Sequence, residues 1–290
     1  TCSSTQLLIP QDKDPRQGVR RSRFGYWIHM YHTYLDDPLH YVQESLGPAA
    51  VAHRYNQWAE HLIPKRFRCG KVVTTETLAY AYETYKAKCF LAGKGVCTKV
   101  HNCCREIVSW VSWPYGSVMR KAGRAWQIIL QRVDRSTLEL WSMAQVRTVI
   151  DTRVSNLLGL PAWRCRCYRC RAKKHPIEFL AGDATRPYTS VSTEQVIEAA
   201  TEYKTAYEHI TADDRVTVLH TRRVKGYTGG SAHNTKTGTA FNMFELLMIL
   251  KFAALCRVFR VGDALVRQIL GVPMGGHMSK ICISILLCKM

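Results

Sequence analysis

The stretch from Arg267 to Ser279 constrains the fold of this chain more than any other, because an apolar strand, a Gly-x-Pro-x-Gly-Gly turn and an apolar helix follow one another there. Gly271, Gly275 and Gly276 leave room for backbone to approach another molecule closely, while Pro273 removes a donor and fixes the bend. A flat ligand such as a base pair fits a surface of that kind. Taken alone, the same pattern is plain strand-to-helix punctuation. Just upstream, Arg257 to Val261 and Ala264 to Leu270 are predicted to form a hairpin around Gly262-Asp263, a favoured two-residue turn, which delivers the chain straight to Gly271.

A second informative stretch runs from His175 to Tyr188, where a short apolar strand delivers the carboxylate of Asp183, followed five positions later by Tyr188. Phosphoryl transfer is one chemistry that such a carboxylate serves, since metal ions there neutralise developing charge and align the attacking and leaving oxygens. Mg²⁺ prefers hard oxygen ligands on a rigid support, and a strand end supplies one. The plainer reading is a turn opened by Asp183 before Arg186-Pro187.

Together the two stretches resemble reverse transcriptases: the Gly271–Gly276 turn is similar to the template-gripping motif of that family, and Asp183 with Tyr188 to its first catalytic motif. The resemblance implies an α+β, right-hand polymerase fold, with fingers and an incomplete palm, and RNA-directed DNA polymerase activity. It implies that Asp183 holds two Mg²⁺ ions, that the Ala184 carbonyl touches one of them, and that Tyr188 lies under the sugar of the incoming nucleotide as a gate against a 2′-hydroxyl. Gln268 would touch nucleotide or template, and Gly271, Pro273 and Gly275 would grip the template. Leu78 to Phe90 and Cys103 to Trp110, two strands around Gly93-Lys94-Gly95, resemble the fingers hairpin. Lys86, Lys88 and Arg105 would then contact the triphosphate, or else remain solvated charge. The implied partners are an RNA or DNA template-primer and deoxynucleoside triphosphates.

The sequence also departs from the family. Lys280 stands where many relatives have Pro, and the hairpin with paired aspartates that completes the metal site does not follow Ser279. It would lie beyond Met290. Asp213-Asp214 offers a superficially similar pair, but it directly follows an amphipathic helix and reads as a helix-ending turn. Thr1 and the apolar segment at Met290 suggest a fragment, expected to be inactive in isolation.

Lys and Arg total 41 against 22 Asp and Glu, a formal charge of +19, and most of the excess precedes Asp183. That balance favours a polyanionic partner over a small acidic substrate. No apolar run is long enough to span a membrane, since Lys251 interrupts Phe244 to Cys256 and Ile281 to Cys288 is too short. The scattered cysteines argue for a reducing compartment, cytoplasm or nucleus.

The predicted organisation is an N-terminal helical extension of unassigned role over 1–75, fingers over 76–176, a palm strand and helix over 177–215, a fingers return with hairpin over 216–270, and the start of a palm helix over 271–290. Helices are predicted around Leu39 to Leu46 and Ala49 to Leu62, in one or two pieces over Val118 to Val154, and after a Ser192-x-x-Gln195 capping box. Val216 to His220 reads as a strand, Gly226 to Gly238 as a polar loop, and Thr239 as the cap of a helix running to Cys256. Tyr26, Trp27, Tyr31 and Tyr34 read as half-buried helix aromatics. Cys165, Cys167, Cys170 and His175 combine ligand types that suit Zn²⁺. Their cramped Cys-x-Cys-x2-Cys spacing instead favours a basic loop facing nucleic acid. Two other functions stay open beside the polymerase: a non-catalytic nucleic-acid-binding protein, and an RNA-dependent RNA polymerase, which the aromatic Tyr188 disfavours.

Overall fold

The structure is a computed structural model that describes residues 6–10, 18–68, 70–85, 104–133, 187–220, 226–229 and 237–289. Residues 1–133 and 186–290 form one compact unit and 134–185 a second, which lies outside the described residues. The first unit is α+β. Its described elements are β1 (Gln6–Pro10), β2 (Gly18–Ser22), α1 (Arg23–Leu35), β3 (Tyr41–Gln43), α2 (Pro48–Leu62), α3 (Lys65–Arg68), β4 (Tyr80–Tyr85), β5 (Cys104–Ser109) and α4 (Gly116–Val133). After the second unit come α5 (Pro187–Ser190), α6 (Thr193–Thr211), β6 (Arg215–Leu219), β7 (Gly226–Thr228), β8 (Gly238–Asn242), α7 (Met243–Leu255), β9 (Val258–Val261), β10 (Ala264–Gln268) and α8 (Ser279–Lys289).

A five-stranded sheet runs in the order β3-β10-β9-β4-β5. Its pairs are antiparallel except β4 with β9, which meet in parallel at a single residue pair, Tyr80 with Arg260. The β9–β10 hairpin turns at Gly262-Asp263 as the sequence predicts. Gly262 has φ +60, the conformation that the first position of a type II′ turn requires. A three-stranded sheet, β7-β6-β8, and the β1–β2 pair complete the strands.

Beside the sheets, α4, α6, α7 and α8 pack on one another. Helix α7 is apolar around most of its circumference, burying Leu246, Ile249, Leu250 and Phe252, as befits a central helix. Helix α4 buries Trp126 and Ile129 and turns Arg120 to solvent.

Several local expectations give way to tertiary structure. The helix predicted around Leu39 to Leu46 is instead a turn and β3, because β10 offers an edge with which Tyr41–Gln43 pairs. The polar loop predicted over Gly226 to Gly238 contains β7, held by its ladder to β6. Thr239 does not cap α7. It is fully buried in β8, and its hydroxyl meets Lys121 Nζ at 3.1 Å and His220 Nε2 at 2.9 Å. The cap is Asn242, whose side chain accepts from the Glu245 N–H at 2.7 Å while Glu245 accepts from the Asn242 N–H at 3.1 Å. Arg66 of α3 fastens this cap through Glu245 Oε2 at 2.5 Å and the Ala240 carbonyl at 2.7 Å.

The N-terminal 75 residues are woven into the same unit. β3 is an edge strand of the main sheet, and Tyr55 of α2 is fully buried, its hydroxyl accepting from the Val258 N–H at 2.7 Å. Of the α1 aromatics expected to be half-buried, Trp27 is so, Tyr26 and Tyr34 are buried more deeply and Tyr31 is exposed, with Tyr34 edge-on to Phe259 at 5.3 Å between ring centroids. Of the strand pair predicted around Gly93-Lys94-Gly95, β4 and β5 are described, antiparallel and in register Glu83 with Glu106 and Tyr85 with Cys104. Asp213 and Asp214 sit where α6 ends. Ala212 takes the left-handed conformation, φ 51, and Asp213 Oδ1 accepts from the Arg215 N–H at 2.9 Å. Among the described residues no helix is long and apolar enough to cross a membrane.

Candidate functional site

The glycine turn between β10 and α8 is a fastening between two other parts of the chain. At Gly271, φ is +81, and a Cβ would lie 2.0 Å from the Tyr188 carbonyl oxygen and 2.6 Å from Thr189 Cα. That space is what lets the Val272 N–H reach the Tyr188 carbonyl at 2.8 Å. At Gly275, φ +102, a Cβ would lie 2.5 Å from the Val108 carbonyl oxygen. There the Val108 N–H donates to the Met274 carbonyl at 2.7 Å, extending the sheet past its β5 edge. Gly276 leaves room for Ser279, whose hydroxyl donates to the Pro273 carbonyl at 2.6 Å. The close approach expected toward another molecule is thus made at Gly271 and Gly275 by the protein's own backbone.

Gln268 serves the same joint. Its side chain is buried, and its amide nitrogen donates to the Tyr188 carbonyl at 3.1 Å and the Leu270 carbonyl at 2.8 Å. An amide nitrogen has two protons, so both are committed within the chain, where the sequence reading had them available to nucleotide or template.

Next to this joint opens a cleft of about 250 Å³. It is lined by Tyr188 of α5, by Gln268 and Met274, and by Tyr34, Asp37, Tyr41 and Glu106 from the opposite end of the sequence. Tyr188 is half-buried. Tyr34 and Tyr41 meet edge-on at 4.9 Å. Burial, followed by the neighbouring Tyr41 and Glu106, holds the Tyr34 phenol well above its usual pKa, so it stays a neutral hydroxyl. Asp37 contacts His40 Nδ1 at 2.9 Å. The described lining combines aromatic rings and two carboxylates with the imidazole of His32 and the hydroxyls of Thr33 and Thr189, suited to stacking and to hydrogen bonding with hydroxyl groups.

Of the residues named from sequence, Tyr188, Gln268, Gly271, Pro273 and Gly275 come together around this joint. Arg105 does not line the cleft. Strand side chains alternate in facing, and Glu106 faces the cleft, so Arg105, registered opposite Thr84, lies on the other face. Asp183, Ala184, Lys86 and Lys88 lie outside the described residues, as do Cys165, Cys167, Cys170 and His175. Sequence reasoning missed Asp37, Tyr41 and Glu106. Their signal was weak, because β3 is three residues long and Glu106 enters only through the register of β5.

A larger, shallower depression of about 880 Å³ runs along exposed α6, among Glu198, Glu202, His209 and Ile210, and holds none of the residues singled out. Among the described residues, Lys65, Arg66 and Arg68 lie on α3, Arg120, Lys121 and Arg124 on α4, and Lys71 on the turn between α3 and β4. Lys121 has its pKa lowered by burial and then by nearby Lys71, two ammonium groups held within mutual repulsion. No family model matches this chain, and neither a curated protein nor a solved structure matches it.

Proposed function

We propose that this chain carries the fingers and the first part of the palm of a reverse transcriptase, and that its cleft receives template, primer and an incoming deoxynucleoside triphosphate. One observation carries the reading: Tyr188 and Gln268, 80 residues apart, are hydrogen-bonded, so the two motif-bearing stretches lie against each other. In this reading Tyr188 presents its ring to the sugar, and the Gly271–Gly275 turn sets the distance between α5 and the β5 edge. The Lys71–Lys121 region, whose like charges a polyanion would relieve, meets phosphates.

Mg²⁺ takes oxygen ligands, and the described cleft offers the carboxylates of Asp37 and Glu106, while the implied ligands Asp183 and Ala184 lie outside the described residues. When bound, the ions supply charge neutralisation at the transferred phosphoryl group. Because no paired-aspartate hairpin follows Ser279 in these 290 residues, the activity proposed for them is binding of template-primer and nucleotide without completed addition. A binding protein on the same scaffold is the second reading, favoured by the way Gly271, Gly275 and Gln268 are already engaged by the chain itself.

The test is dissociation of a fluorescent template-primer from the full 290-residue chain in Mg²⁺, with either the complementary or a mismatched deoxynucleotide present. A nucleotide site predicts slower dissociation with the complementary nucleotide, lost in Asp183→Asn while binary binding is kept. Binding indifferent to base identity would leave the binding-protein reading, and absent or salt-insensitive binding would remove both.

A further inference from the structure

Where α1 crosses the fingers hairpin, three side chains of metal-binding type converge: His29 of α1, Glu83 of β4 and Cys104 of β5. Their ligand atoms all lie within 4.8 Å of one another, and His29 Nε2 is 2.8 Å from Glu83 Oε1. This is the one such group among the described residues. We propose that His29, Glu83 and Cys104 form a zinc site that staples α1 to the β4–β5 hairpin.

The donor set selects the ion. A thiolate and an imidazole are poor ligands for Mg²⁺ or Ca²⁺, whereas nitrogen, carboxylate oxygen and sulfur together suit Zn²⁺. Bonds of about 2.0 Å to nitrogen and oxygen and 2.3 Å to sulfur hold tetrahedral ligand atoms roughly 3.3 to 3.6 Å apart. The 2.8 Å between His29 Nε2 and Glu83 Oε1 and the 4.8 Å limit on the whole group lie on either side of that range.

The surroundings favour a cation as well. Glu83 is 1% exposed and Cys104 6%, so both are held largely away from water. Glu106 stands directly opposite Glu83 in the β4–β5 register, and like charges so placed repel. A divalent ion between the strands turns that repulsion into attraction. Binding expels the Cys104 thiol proton to solvent, and three protein ligands leave the fourth position to water. The three proposed ligands do not themselves line the cleft, although Glu106 beside them does, and the site does not depend on the polymerase reading.

Cobalt(II) is the probe, because its thiolate complexes absorb by charge transfer in the near ultraviolet. The full chain carrying Cys165→Ser and Cys170→Ser, which disables the other cysteine cluster, is stripped with chelator and titrated with Co²⁺ and then Zn²⁺. The expected result is one Co²⁺ per chain with the charge-transfer intensity of a single thiolate, displaced by one equivalent of Zn²⁺. His29→Gln and Cys104→Ser, each introduced into that background, should weaken Co²⁺ binding by on the order of a hundredfold or more, since even residues that only orient a ligand cost 10- to 100-fold. His29 is partly exposed on α1, so its variant is the one expected to disturb the fold less than the buried Cys104→Ser. No thiolate band in the background chain overturns the proposal. A band that survives in a folded His29→Gln or Cys104→Ser chain does so equally.

Discussion

Replacing Gly271 with alanine tests whether the glycine turn acts as a fastening. Two costs add. Left-handed φ penalises an L-residue by about 1–2 kcal/mol, less about 0.4–1 kcal/mol from the stiffer unfolded chain. The second cost is steric: a Cβ placed 2.0 Å from the Tyr188 carbonyl oxygen must push two backbones apart by more than 1 Å. The bonds from the Val272 N–H and the Gln268 amide to that oxygen then fail, at roughly 1 kcal/mol each or more, because the buried partners lose their mates. The sum is about 2–4 kcal/mol. Gly70→Ala is the control: φ there is +67, but nothing lies within 4 Å, so only the conformational cost of about 1 kcal/mol applies. Urea unfolding followed by tryptophan fluorescence reads the difference. With a slope near 3 kcal/mol per molar, Gly271→Ala should lower the midpoint by about 0.7–1.3 M and Gly70→Ala by about 0.3 M. Equal shifts for the two variants would show that Gly271 serves only its own dihedral angle and that the approach to Tyr188 carries no energy.

Asn242→Ala removes the cap of α7 and should cost about 1 kcal/mol in the same urea assay. Burial raises the pKa of Tyr34, Tyr55, Tyr207 and Cys256, so the fold favours their protonated forms. Their contribution is complete below the unfolded values of 9.0 for the thiol and 10.0 for the phenols and is lost as pH rises toward the folded ones. A melting temperature that is flat from neutrality to about pH 8.5 and falls beyond pH 10 is therefore expected, and one unchanged at pH 11 would contradict the burial argument. If Lys121 meets phosphate, Lys121→Met should make the slope of log K against log salt shallower by about 0.7–0.9, measured by anisotropy with a labelled template-primer. Tyr188→Val should let the cleft accept a ribonucleotide nearly as well as its deoxy counterpart in the dissociation assay, whereas unchanged sugar preference would mean that the ring does not face the sugar.

Elements whose cause is local were legible in the sequence. The β9–β10 hairpin follows from a glycine that tolerates the turn, α2 from a proline at its first turn, and α6 from Ser192, whose hydroxyl accepts from the Gln195 N–H at 3.4 Å. Elements whose cause is a distant partner were not. Tyr41–Gln43 is a strand because β10 lies beside it, and Gly226–Thr228 because β6 does. The α7 cap lies three residues beyond the position expected, because Thr239 and Asn242 are both good caps and β8 runs on through Asn242 before α7 starts at Met243. The site divides in the same way. Tyr188, Gln268 and the glycines stand out by residue type. Asp37 and Glu106 are ordinary surface-type residues that only register and topology bring into the cleft, and register also turned Arg105 away.

The single-pair junction of β4 with β9 has a mechanical consequence. The main sheet is two ribbons, β3-β10-β9 and β4-β5, sewn together by Tyr80 with Arg260, by the Arg260 N–H on the Ala79 carbonyl at 2.8 Å, and by the Arg260 guanidinium on the Thr75 carbonyl at 2.9 Å. The Met274–Val108 bond clasps the far side of β5 to the chain leaving β10. The cleft straddles this loop of chain, taking Gln268 and Tyr41 from one ribbon and Glu106 from the other. Compliance is thereby concentrated along one seam, and the width of the cleft is set by two fasteners, a stitch at Arg260 and a clasp at Met274.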